Sequence, residues 1–125
     1  MKNIDLLKLA QDAISIEISE LEALKNRLGE EFLKAVEIIH HAKGKLIIVG
    51  IGKSAHVANK IVATLNSTGT PAQFLHAAEA IHGDLGVIQK NDVVLCISDS
   101  GSYPGITQLL PYLKEYASAL IGVTG

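Results

Sequence analysis

Residues 45–51 have the sequence KLIIVGI, a continuous apolar run that is rich in β-branched side chains. Runs that are apolar on both faces are typical of strands buried in a parallel sheet. Outward along the chain lie two more such runs, DVVLCIS at 92–98 and ALIGVTG at 119–125, and a weaker one, AQFLH at 72–76. The sequence therefore predicts strands at 45–51, 72–76, 92–98 and 118–123.

Helical patterns separate these runs. They cover Ser54 to Ser67, Ala77 to Ile81 and Ile106 to Ala117, so strands and helices alternate along the chain. This alternation predicts an α/β fold, a parallel sheet flanked by helices and joined by right-handed crossovers. We predict the strand order 2-1-3-4. Because the last run ends at Gly125, we expect these residues to be the front part of a larger doubly wound domain.

The N-terminal residues, 1–43, are predicted to form a helical arm ahead of an α/β domain at 44–125. An apolar side chain recurs at every seventh position of the segment 3–28, which predicts one long helix: Leu7, Ile14, Leu21 and Leu28. We expect this apolar stripe to pack on a second subunit, in a homodimer or homotetramer.

The second predicted helix runs from about Glu30 to Ala42, after an interruption at Gly29. Phe32, Val36 and Ile39 would share one of its faces. We expect Gly44 to end this helix as its cap.

The composition restricts the class of protein. About half of the 125 residues are apolar and the formal charge is −2, which is typical of a globular domain and argues against nucleic acid as a partner. No apolar run approaches the ~20 residues that span a bilayer, and the N-terminus does not resemble a secretory signal. The single cysteine, Cys96, cannot form an internal disulfide. These features favour the cytoplasm, without a membrane partner.

The first polar turn, VGIGKSAH at 49–56, follows the first predicted strand. A P-loop would require a glycine at position 47, where Ile47 stands. Gly50, Gly52 and Ala55 match the G-x-G-x-x-A pattern of dinucleotide folds, but that fold expects an acid at the end of the second strand, where this chain has His76.

Sugar-phosphate binding fits this turn better, because Lys53 adds a positive charge beside Ser54 at the start of a helix, where free N–H groups favour an anion. The alternative is that the glycines serve only a tight turn between strand and helix.

The second polar turn, SDSGS at 98–102, follows the third predicted strand. Ser98, Ser100 and Ser102 can each donate a hydrogen bond to phosphate, and Gly101 opens the backbone. Serine-rich turns are also common in ordinary helix capping. Since ligands of open parallel sheets bind at the carboxyl ends of the strands, two such turns together favour an anion site.

The third polar stretch, LHAAEAIHGDLG at 75–86, contains His76, Glu79 and His82 at spacings of three. A metal site is conceivable from these residue types. We favour a role for His82 in lining the site, and the alternative is a histidine satisfied by a backbone carbonyl.

Three segments together resemble the sugar isomerase (SIS) domain, and most closely the arabinose 5-phosphate isomerases: GIGKSAHVANKIVATLNSTGTP, EAIHGDLG and ISDSGS. The resemblance runs from about Lys43 to Gly125. It implies a five-stranded parallel sheet, of which this chain carries four strands, and assembly into dimers or tetramers. It also implies interconversion of ribulose 5-phosphate and arabinose 5-phosphate through an enediol. We expect no cofactor and no metal.

Carried over by position, the resemblance implies two catalytic residues. Lys53 matches the family's active-site lysine, which would bind phosphate or stabilise oxyanion charge. His82 matches the histidine before Gly-Asp-Leu-Gly and would act as the acid–base group. The implied phosphate- and sugar-binding set comprises Gly52, Ser54, Ser98, Ser100, Gly101 and Ser102.

This chain also departs from the family pattern. Asp99 replaces an asparagine, Ser102 follows the glycine of the second turn, and Gly105 stands where the family has a glutamate. These departures leave an alternative function open, in which the chain is a sugar-phosphate-binding module, or an enzyme fragment, without turnover.

Overall fold

The structure is a computed structural model that describes residues 2–101 and 104–125. The chain forms two compact units, one that ends at Lys34 and one from Ala35 to Gly125. Six helices and a short 3₁₀ helix are described: α1 Asn3–Arg27, α2 Glu30–His40, α3 Lys53–Ser67, α4 Ala77–Ile81, the 3₁₀ helix Asp84–Val87, α5 Pro104–Thr107 and α6 Leu110–Tyr116. The strands are β1 Leu46–Gly50, β2 Ala72–His76, β3 Val93–Ser98 and β4 Ala119–Thr124.

The sheet confirms the predicted α/β class and strand order. All three strand pairs are parallel and the order is β2-β1-β3-β4. In the register, Gly50 is paired with His76, and Ser98 is paired with Thr124. The carboxyl ends of the four strands therefore meet at one edge of the sheet, and the turns after β1 and β3 leave it side by side.

Strand β1 is buried along its whole length, because helices cover both faces of the sheet. Ile47 and Val49 face a cluster that includes side chains of α4, α5 and α6, whereas Leu46 and Ile48 face a cluster with α3 and the end of α2. Alternate residues of a strand point to opposite faces, so a strand between two helical layers has to be apolar throughout. Because β1 is buried along its length, the position at which the following turn begins is fixed.

The predicted helix at 106–117 is wrong, since the structure divides this segment into α5 and α6 with a turn at Gln108 and Leu109. Pro111 supplies the physical reason. It has no N–H to donate to Thr107, four residues earlier, and it is tolerated only in the first turn of a helix, where α6 places it.

The prediction for Gly44 is also wrong. Helix α2 ends at His40, and Gly44 is not among the glycines with positive φ. Its N–H donates to Asn91 O at 3.0 Å, and a Cβ at this position would lie 2.5 Å from Asp92 Oδ1. A glycine is required here because another backbone segment approaches closely.

The N-terminal unit contains α1, none of whose residues is buried. The stripe residues Leu7, Ile14 and Leu21 are each more than half exposed. Among the described residues, no helix is both long enough and apolar enough to cross a membrane.

Candidate functional site

A pocket of about 390 Å³ lies at the carboxyl edge of the sheet, between the turns that follow β1 and β3. Four consecutive residues on each side line it: Ile51, Gly52, Lys53 and Ser54 from the turn after β1 and the start of α3, and Ile97, Ser98, Asp99 and Ser100 from the end of β3 and the turn after it. The two polar turns that the sequence singles out therefore line one pocket.

The first turn aims the start of α3 at the pocket. Gly52 has φ +60° and ψ −131°, a backbone conformation that residues with a Cβ rarely adopt. Gly50 allows the helix to begin close to the strand, because a Cβ there would lie 3.0 Å from the carbonyl atoms of Ser54. The two glycines thus serve different needs, backbone conformation and close approach.

Electrostatics at the start of α3 favour an anion. Gly52 provides no side-chain cap, and the first turn contains no acidic residue. The first N–H groups of the 15-residue helix lack partners within the helix, and they carry the positive end of its dipole. Lys53, exposed at the first helical position, adds a full positive charge.

The second turn is fixed by Ser98, which is only 7% exposed. Its Oγ accepts a hydrogen bond from Gly101 N at 3.1 Å. The hydroxyl hydrogen of Ser98 is not used in that bond and can donate to a ligand. Asp99 and Ser100 follow in the same turn and are exposed.

Asp99 is held on the flank of the pocket next to β4. Its carbonyl accepts a hydrogen bond from Gly125 N at 2.9 Å. Its carboxylate lies beside the same residue, because a Cβ at Gly125 would come within 2.8 Å of Asp99 Oδ1. Since β4 pairs with β3 on the side away from β1, this carboxylate is on the flank opposite Lys53.

The structure brings five of the predicted site residues together in the pocket lining: Gly52, Lys53, Ser54, Ser98 and Ser100. Gly101 supports the turn through its bond to Ser98. Ser102 lies outside the described residues.

His82 is not among the residues that line this pocket. It is exposed and follows α4 as its C-terminal cap, with its N–H bonded to Glu79 O at 3.1 Å. His76 caps the other end of α4, where its Nδ1 accepts from Ala78 N at 3.1 Å. Within residues 2–101 and 104–125, no three His, Cys, Asp or Glu side chains form a group that could hold a metal ion.

A buried ion pair at the opposite edge of the sheet was missed by the sequence analysis. Asp92, 2% exposed, accepts hydrogen bonds from Lys45 Nζ at 2.7 Å, Lys45 N at 2.9 Å and Gln89 N at 2.7 Å. Burial acts to raise the pKa of Asp92, but these bonds outweigh it and hold the pKa below its usual value. The pair joins the residues that directly precede β1 and β3.

The sequence profile of the SIS domain matches residues 38–125. This chain belongs to the SIS domain family. It is 48% identical over 124 residues to the arabinose 5-phosphate isomerase KdsD of Pseudomonas aeruginosa, and 48% identical over 120 residues to the arabinose 5-phosphate isomerase GutQ of Salmonella typhi. The matches cover 99% and 96% of this chain, but only 38% and 37% of those proteins.

Solved structures with the same fold include the Escherichia coli CFT073 protein c3406 in complex with arabinose 5-phosphate, at a TM-score of 0.93 and 40% identity. A putative sugar-phosphate isomerase from Listeria monocytogenes gives a TM-score of 0.92 at 34% identity. Each match covers 99% of this chain, and 66% and 65% of the two relatives. This SIS chain is therefore a sugar-phosphate isomerase-like protein that spans part of its relatives' length.

Proposed function

We propose that the pocket binds a phosphorylated five-carbon sugar, with the phosphate at the start of α3. The observation that carries this proposal is the convergence of Lys53 and the start of α3 with the serines of the second turn. Ser54, Ser98 and Ser100 would donate hydrogen bonds to the phosphate oxygens. The identity with arabinose 5-phosphate isomerases, and the sugar phosphate bound to the E. coli neighbour, support the choice of ligand.

The reaction we propose is the interconversion of ribulose 5-phosphate and arabinose 5-phosphate. A base removes the proton from C1 of the ketose or C2 of the aldose, an enediol forms, and a proton is returned to the other carbon. Lys53, at the pocket wall, would bind the phosphate at C5 and so position C1 and C2 for proton transfer. His82 is proposed as the acid–base group on the strength of the family resemblance.

A second candidate function is binding without turnover. Among the described residues that line the pocket, the titratable side chains are Lys53 and Asp99. Few groups are therefore available for proton transfer, which favours this second candidate. Gly105, in α5, provides no carboxylate at the position where the resemblance expects one. A general base has to come within about 2.6–3.2 Å of the proton it removes, directly or through one water.

Solvent exchange at C1 of ribulose 5-phosphate distinguishes the two functions. In ²H₂O, an active isomerase exchanges this hydrogen and produces arabinose 5-phosphate, and both events are visible by NMR. Binding without exchange would contradict turnover and support the second candidate. In that case Gly105→Glu is the variant to assay first, because it restores a carboxylate at the front of α5.

We also propose that the chain forms a homodimer or homotetramer through the apolar stripe that α1 leaves exposed. Covering an exposed apolar stripe of this length with a second copy removes apolar surface from water, which favours association. The domain boundary between residues 43 and 44, a cytoplasmic location, and the lack of nucleic-acid and membrane partners stay predictions.

A further inference from the structure

Asp99 is a feature of the pocket that anion binding does not explain. A carboxylate repels phosphate, yet Asp99 lies in the pocket lining, immediately after the buried Ser98. Its carbonyl and carboxylate both lie against Gly125, beside β4. The hydrogen bond from Gly125 N to the Asp99 carbonyl fixes the main chain at Asp99, and the carboxylate lies next to Gly125.

The pocket consequently has two chemically different flanks. The β1 flank carries hydrogen-bond donors and positive charge, from Lys53 and the start of α3. The β4 flank carries Asp99, and an ionised carboxylate can only accept hydrogen bonds. A ligand that satisfies both flanks has an anionic group at one end and hydroxyl donors at the other.

We infer that Asp99 is a specificity-determining residue that accepts hydrogen bonds from the sugar hydroxyls and orients the ligand with its phosphate toward Lys53. This inference rests on the proposed sugar-phosphate site and adds the orientation of the ligand within it. Free phosphate would be bound by Lys53, the start of α3 and the serine hydroxyls, and it has no hydrogen to donate to the Asp99 carboxylate when it is fully ionised. A sugar phosphate reaches both flanks, so the carboxylate favours it over phosphate and keeps its anionic end away from the β4 side.

Calorimetric titration with arabinose 5-phosphate and with inorganic phosphate tests this inference. The wild-type chain should prefer the sugar phosphate, and Asp99→Ala should reduce the ratio of the two affinities about tenfold or more, the effect of a lost hydrogen bond to a charged group. Asp99→Asn, which keeps one acceptor oxygen, should retain more of the preference. Glu115→Ala, an exposed acidic residue of α6 away from the pocket, is the control and should change neither affinity.

The outcomes separate the inference from the proposed function. If Asp99→Ala leaves the affinity ratio unchanged, or tightens both ligands by the same factor, Asp99 only repels anions and the inference is overturned. If the wild-type chain binds neither ligand, the sugar-phosphate site itself fails, and the inference fails with it. Because Asp99 is exposed, the variants should fold, which circular dichroism checks.

Discussion

Replacement of Lys53 by alanine should weaken binding of arabinose 5-phosphate without loss of fold. Lys53 is exposed at the first position of α3 and lines the pocket, so its removal deletes one charge and leaves the core intact. A hydrogen bond from a charged group contributes about 1.5–3 kcal/mol, which corresponds to a roughly 10- to 150-fold higher dissociation constant. We expect the lower half of this range, because solvent screens an exposed charge.

Titration calorimetry at low and at high salt measures the effect. The matched control is Lys60→Ala, which removes an exposed lysine two turns further along the same helix. Position 60 is about 10 Å along the axis from position 53, so the control reports the change in overall charge alone. Equal affinities for wild type and Lys53→Ala at low salt would refute the assignment of phosphate to the start of α3. An equal loss in the two lysine variants would refute it as well.

Three further predictions concern stability, reactivity and assembly. Because the pKa of Asp92 is lowered in the folded state, its contribution to stability is present above the ordinary value of 3.8 and is lost as the pH falls below it. Asp92→Asn should lower the free energy of unfolding, measured in urea, by about 2–3 kcal/mol at pH 7 and by less at pH 3. An equal decrease at both pH values would contradict the ion pair with Lys45. Burial raises the pKa of the Cys96 thiol to about 11, so a disulfide reagent at pH 8 should modify it far more slowly in the native protein than in urea, and equal rates would show that the thiol is accessible. Sedimentation at micromolar concentration should show a dimer or tetramer. A charged substitution in the α1 stripe, such as Leu21→Lys, should dissociate it, and a wild-type monomer would contradict assembly through α1.

The sheet could be predicted from sequence because its signals are local. Each strand is a short apolar run, and β1 is apolar at every position since both of its faces are covered. The pairing of the two polar turns followed from the strand order, which sets the ends of β1 and β3 side by side. The pocket lining of Lys53, Ser54 and Ser98 is thus a consequence of topology.

The remaining features depend on contacts between distant segments. The need for glycine at position 44 arises from the approach of Asn91, 47 positions later, and no helix-cap pattern reveals it. The flank that Asp99 occupies depends on Gly125 beyond β4. The ion pair of Lys45 and Asp92 could have been predicted from the sequence. Lys45 directly precedes β1, Asp92 directly precedes β3, and the first residues of these two strands are paired.

The split between α5 and α6 is a different case, because its cause is local. Pro111 lies inside the apolar pattern of 106–117, and its missing N–H is visible in the sequence. The apolar periodicity of the segment continues across Pro111, but the missing N–H decides where the helix ends.

The most direct test of sugar-phosphate binding is a titration of the ¹⁵N-labelled chain with arabinose 5-phosphate, followed by amide chemical shifts. We predict that the largest shifts occur at Gly52 to Ala55 and at Ser98 to Gly101, and that they saturate together with a single dissociation constant. Shifts confined to other surfaces, such as the groove of Ile81, Leu85 and Tyr112, or no shifts at millimolar ligand, would contradict the account.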